Sequence, residues 1–229
     1  MQTAAAISVL MQSYYAQTRD LRLHTNGDTM FNVLGSNTLI LQNIQLIEND
    51  NSSAAIIEVA AGGTVSMYIF SVIRYNFIGV AVLNGGTINM FHDSRISNNR
   101  MYGVLTHAGG SLLMNEYSVI TGNMIGTHIT GGATPGRLVM NSNSIISGNV
   151  LRGVLTSGKV IMRDRSRIMQ NAGGGMFIQG PGSAEMLDFA EISDNHLGLH
   201  HGAGVVVRTN ATLTMSDDTR IHGNTTLGA

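Results

Sequence analysis

Three aspartates, Asp164, Asp188 and Asp217, stand seven residues ahead of a recurring asparagine in successive copies of one local pattern. If those copies stack as neighbouring strands, the carboxylates lie about 5 Å apart. Like charges at that distance repel unless a cation or an arginine intervenes. Two outcomes fit: a calcium site built from carboxylate oxygens, or a solvated turn paired locally with Arg163 and Arg165. His196, His200 and His201 fall within six residues in DNHLGLHHG. Such a group suits zinc or copper, but no Cys or Glu is at hand and Gly198 and Gly202 loosen the segment. A polar loop is the alternative. No Ser-His-Asp combination carries a nucleophile-elbow signature. The residues therefore assign no catalytic group and no cofactor, and the aspartate column suggests calcium.

The elements that must position these side chains are repeats. An Ile precedes an Asn at short range in IRYN, ISNN, ITGN, IISGN, IMQN, ISDN and IHGN. The final asparagines are Asn76, Asn99, Asn123, Asn149, Asn171, Asn195 and Asn224, with Asn49 as a weaker first copy; successive marks lie 22 to 29 residues apart. Nine residues before the mark stand Met67, Met90, Met114, Met140, Met162, Met186 and Met215, with Ile40 in the weak copy. Three before stand Ile73, Ile96, Ile120, Ile146, Ile168, Ile192 and Ile221, after Leu46. Five before stand Ser71, Ser94, Ser118, Ser144, Ser166, Ala190 and Thr219. Repeats of this length that cannot bury an apolar face alone must stack.

Each copy holds three short segments with period-two alternation, such as residues 86–90, 94–97 and 79–82, and that period is strand. Gly, Asn, Asp and Ser occupy the joints. The expected fold is all-β: a single-stranded right-handed parallel β-helix, a β-solenoid with three parallel sheets and about eight coils of about 24 residues. Met and Ile face inward, Met filling irregular core gaps. The Ser hydroxyls also face inward, able to donate along the stack. The Asn mark takes a left-handed turn and bonds to the Asn above and below. Residues 20–229 form the β-helix; residues 1–19 supply a first strand or a cap.

Composition bounds the function. The chain has 229 residues, of which 12% are charged, with net charge −1, no Cys, 28 Gly and 14 Met. Near-neutrality offers no electrostatic case for nucleic acid. No apolar run is long enough for a transmembrane helix. Lack of cysteine removes disulfide and thiolate chemistry. No Lys or Arg precedes the first apolar run, as a secretory leader would have. The sequence stops five residues past Asn224 without a third strand, which suggests a longer array or a last coil covered by a partner.

The pattern GGT-x-x-M, S-x-I-S-x-N, G-V-x-V resembles the right-handed β-helix repeats of bacterial surface and secreted proteins. It is similar to polymorphic outer-membrane protein repeats within the pectate-lyase-like superfamily. The resemblance implies an extracellular or cell-surface scaffold, adhesin-like or passenger-type. Its alternative is a carbohydrate-active enzyme, a polysaccharide lyase or hydrolase, or a carbohydrate-binding module on the same fold. Enzymes of that superfamily need clustered carboxylates outside the first sheet, and the fourteen outward positions there include one acid, Glu185.

Two outward apolar stripes are expected contact surfaces. Leu113, Val139 and Ile161 form one on the first sheet. Leu105, Leu155, Phe177 and Val206, with His128 between, form the other on the third. Such stripes suit self-association or contact with a host or glycan surface, unless a segment of the chain covers them.

Overall fold

Every alternating segment becomes a strand, and the strands pair in the order the repeat dictates. The computed structural model describes residues 8–12, 19–23, 29–48, 53–197 and 203–226. Among them there is no helix. A first sheet of nine strands runs from Ser8–Gln12 to Thr212–Met215, and a second of nine from Arg19–Leu23 to Arg220–His222. A third of eight runs from Phe31–Val33 to Val205–Val207. Neighbours within each sheet are parallel and one coil apart, as in Thr87–Met90 between Thr64–Met67 and Ser111–Met114. The molecule is a parallel β-solenoid with close to the expected eight coils. Near the start of the chain Ser8–Gln12 pairs with Thr38–Gln42 at the edge of the first sheet; residues 1–7 and 13–18 lie outside the described residues.

The core lies inside the coils. Met67, Met90, Met114, Met140, Met162 and Met186 are buried in one file, and the Ile column from Ile73 to Ile192 in another. One member differs from expectation. Leu41, not Ile40, pairs with Met67, while Leu46 still pairs with Ile73. The first turn of that coil is one residue shorter than in later coils, so counting back from Asn49 overshoots; Asn49 itself lies outside the described residues.

The asparagines form a continuous ladder from Asn76 to Asn224. Each backbone N–H donates to Oδ1 of the next asparagine at 3.0 Å, and each Nδ2 donates to the same oxygen at 2.8–3.1 Å. Nδ2 also reaches a carbonyl two residues back, as from Asn123 to Thr121 at 3.1 Å. The left-handed residue is not the asparagine, as expected from sequence, but the residue before it: Tyr75, Asn98, Gly122, Gly148, Gln170, Asp194 and Gly223. Burial of the side-chain amide requires ordinary backbone at the mark, and its neighbour makes the bend.

A glycine column makes room for the ladder. A Cβ on Gly126 would stand 2.5 Å from the Gly153 carbonyl oxygen and 2.8 Å from Asn149 Nδ2. Gly79, Gly103, Gly153, Gly175 and Gly204 face similar obstacles.

The serine column is buried as expected, but it is not a hydrogen-bonded stack. Ser71 Oγ donates to the Tyr68 carbonyl within its own turn at 2.6 Å. The hydroxyls of Ser94, Ser118, Ser144 and Ser166 have no partner. A hydroxyl extends one bond beyond Cβ and cannot span the roughly 4.8 Å between coils; an amide can.

Candidate functional site

The first turn, between the first and second sheets, is where chemistry-bearing side chains accumulate. From Met67 onward four residues lie between the last paired residue of each first-sheet strand and the first paired residue of the second, as between Met67 and Val72 and between Met162 and Arg167, and the middle two form the turn. Turn residues of successive coils therefore align along the axis, although their backbones differ: the second position has positive φ at Phe70, Asp93 and Tyr117 but not at Asn143, Arg165 or Phe189. From the Met90 coil onward the first turn position holds His92, Glu116, Ser142, Asp164, Asp188 and Asp217, all at positive φ between 44° and 59°. Short polar side chains tolerate that region best.

Asp164, Asp188 and Asp217 are held by the backbone rather than by one another. The Ser142 N–H donates to Asp164 Oδ2 at 2.7 Å. The Asp164 N–H donates to Asp188 Oδ2, and the Asp188 N–H to Asp217 Oδ2, both at 3.1 Å. The side chains are exposed, so water screens their repulsion. Among the described residues no three His, Cys, Asp or Glu side chains gather closely enough to hold a metal ion. His196 is exposed, with Nδ1 2.7 Å from Thr225 Oγ1. His200 and His201 lie outside the described residues. Further along the same turn column His92 pairs with Glu116 at 2.8 Å.

Beside the aspartates a surface depression of about 350 Å³ opens onto the second sheet, lined by Asn143, Arg165, Arg167, Phe189, Glu191, Asp218 and Arg220. Its floor is a register-matched series, Arg167, Glu191 and Arg220. His222 Nε2 contacts Glu191 Oε1. The Arg165 guanidinium lies 5.8 Å from the centroid of the Phe189 ring. An adjoining hollow of about 410 Å³ shares Asn143, Arg165 and Phe189 and reaches Asp164 and Asp188. Sequence analysis located the aspartates but not this depression. Its only signal was the charge at the start of three consecutive second-sheet strands.

The first-sheet stripe does not present the surface expected of it. Val139 is 6% exposed and Ile161 2%, while Leu113 is half-buried. They stack in register from Leu113 to Glu185. Val139 lies between Leu113 and Ile161, and Ile161 between Val139 and Glu185, so neighbours one coil away cover both. On the third sheet Leu105, His128, Leu155, Phe177 and Val206 form an in-register file. Leu105, Leu155 and Val206 are half-buried, but Phe177 is buried, with Arg152 4.1 Å and Arg208 5.2 Å from its ring centroid. Cation–π contacts of this kind close over an aromatic face. Burial, and then the charge of Arg208, lower the Arg152 pKa. His128, 5.4 Å from the Tyr102 ring, has its pKa lowered by burial and then by His107.

No known protein family, curated protein or solved structure matches this chain.

Proposed function

We propose that this chain is a non-catalytic β-solenoid scaffold of an extracellular or cell-surface protein, an adhesin-like or passenger-type segment. The observation that carries the reading is the use of the Asp column. Its carboxylates, the most reactive-looking groups in the repeat, accept backbone N–H bonds from the preceding coil and so build the turn. The likeness of the repeat to those of polymorphic outer-membrane proteins and the pectate-lyase-like superfamily supports the same role. A long rod with equivalent turns holds contacts at fixed separations, which suits a host or glycan surface or a second copy of the chain.

A second reading, a carbohydrate-binding module, is favoured by the depression around Phe189. Exposed aromatic area beside planar arginine, asparagine and carboxylate groups is the usual make-up of a site for hydroxylated ligands. A depolymerisation assay on neutral and acidic polysaccharides tests the non-catalytic reading. No new chain ends are expected. Turnover that disappears in Glu191→Gln or Asp218→Asn would replace it with an enzyme.

A further inference from the structure

The second position of the first turn is occupied in successive coils by Phe70, Asp93, Tyr117, Asn143, Arg165, Phe189 and Asp218. The three aromatics stand on one edge of the solenoid and are 58%, 58% and 55% exposed. Tyr117 lies two coils from Phe70 and three from Phe189, roughly 10 Å and 14 Å along the axis. Phe70 and Tyr117 hold φ of 56° and 61°. For a bulky side chain that conformation is disfavoured and opposes folding. Packing does not account for Phe70 and Tyr117, which stay exposed at turn positions where Asn or Gly would be relaxed; Phe189 is as exposed, on a backbone without that strain.

We propose that this edge binds a linear neutral polysaccharide lying parallel to the solenoid axis, with Phe70, Tyr117 and Phe189 as its stacking platforms. An extended pyranose residue is about as long as one coil is thick, so a sugar chain on this edge keeps step with the turns. The weakly positive C–H face of a pyranose stacks on the negative face of an aromatic ring. Platforms two and three coils apart then meet the chain every second or third sugar. Asp93, Asn143 and Arg165 between them offer donors and acceptors to hydroxyls. Asp164, Asp188 and Asp217 run alongside and would repel a polyanion. The inference rests on the carbohydrate-binding reading and extends its site from the depression to the whole turn edge.

Isothermal titration of the full chain with hexaoses of cellulose, mannan, xylan and chitin is the test, with heparin and polygalacturonate as polyanion controls. At least one neutral hexaose should bind, more tightly than its trimer and with little dependence on salt. Tyr117→Asn should weaken that binding at least 10-fold while the melting temperature holds or rises, because strain is relieved. Tyr117→Phe should bind as wild type does. Unchanged affinity in Tyr117→Asn and Phe70→Asn, with loss in Arg167→Ala, would confine saccharide binding to the depression and overturn the edge. Salt-sensitive binding to the polyanions alone would also overturn it. If none of the six glycans bound, the carbohydrate-binding reading would fall as well.

Discussion

At the second turn Asn99, Asn123 and Asn149 each accept the backbone N–H of the preceding coil through Oδ1. At the first turn Asp164, Asp188 and Asp217 do the same through Oδ2. The two series have the same direction and spacing but opposite surroundings. Asn99, Asn123 and Asn149 are buried, whereas the aspartate bonds are exposed. An amide carries a donor as well as an acceptor, so each asparagine passes a second bond along the series and leaves no charge. A carboxylate only accepts, and stacked carboxylates at coil spacing are tolerable only where water screens them. Position therefore selects the residue: the buried turn demands Asn, and the exposed turn takes Asp, Ser, Glu or His at positive φ.

The largest effect among single changes that leave both series chemically intact is expected at Gly126, whose hydrogen faces the asparagine side. Gly126→Ala drives a methyl against the Gly153 carbonyl and Asn149 Nδ2. Overpacking of this kind costs about 1–3 kcal/mol, read by urea denaturation. A neutral result would mean that the ladder has slack.

Ser144→Ala should change stability by less than about 0.5 kcal/mol, or raise it, since a buried hydroxyl without a partner carries a desolvation penalty that Ala avoids. Ala190 already occupies the same column. A loss comparable to that of an asparagine substitution would show that the serines bond across coils after all.

The smallest expected effect is on the acid side. His128 is neutral more readily in the folded chain than in the unfolded chain, because burial, then His107, lowers its pKa below 6.5. The unfolded state then binds more protons, and stability rises with pH in that interval. Its contribution is complete above pH 6.5 and is lost as pH falls through the folded value. His128→Gln should flatten this part of a melting-temperature profile, and an unchanged profile would contradict the assignment to His128.

The Met, Ile, Ser and Asn files were legible because each recurs at a fixed offset and one residue type satisfies its environment. What varies in type stayed hidden. The left-handed position before the mark is filled by Tyr75, Asn98, Gly122 and Gln170, which share a backbone conformation and no chemistry. The glycine column was obscured because it follows the mark by three residues at Gly79 and Gly126 but four at Gly103 and Gly153. Phe70, Tyr117 and Phe189 escaped notice because polar residues occupy the turn in the coils between them. All stand six residues before the mark, a column the repeat already aligns, but no one residue type fills it. Val139 and Ile161 were expected outside and are outward, yet alternation cannot say how much area neighbours one coil away remove.

One coil contains both kinds of residue, Asp164 at its first turn and Asn171 at its second, and comparing Asn171→Asp with Asp164→Asn by equilibrium denaturation at neutral pH tests the account directly. Asn171→Asp buries a carboxylate that cannot donate to Asn195 Oδ1, and a loss of several kcal/mol is predicted. Asp164→Asn keeps the acceptor for Ser142, tolerates the positive φ and removes one like charge, so a change within about 0.5 kcal/mol is predicted. Equal losses at the two sites would contradict the claim that burial, not connectivity, separates the two series.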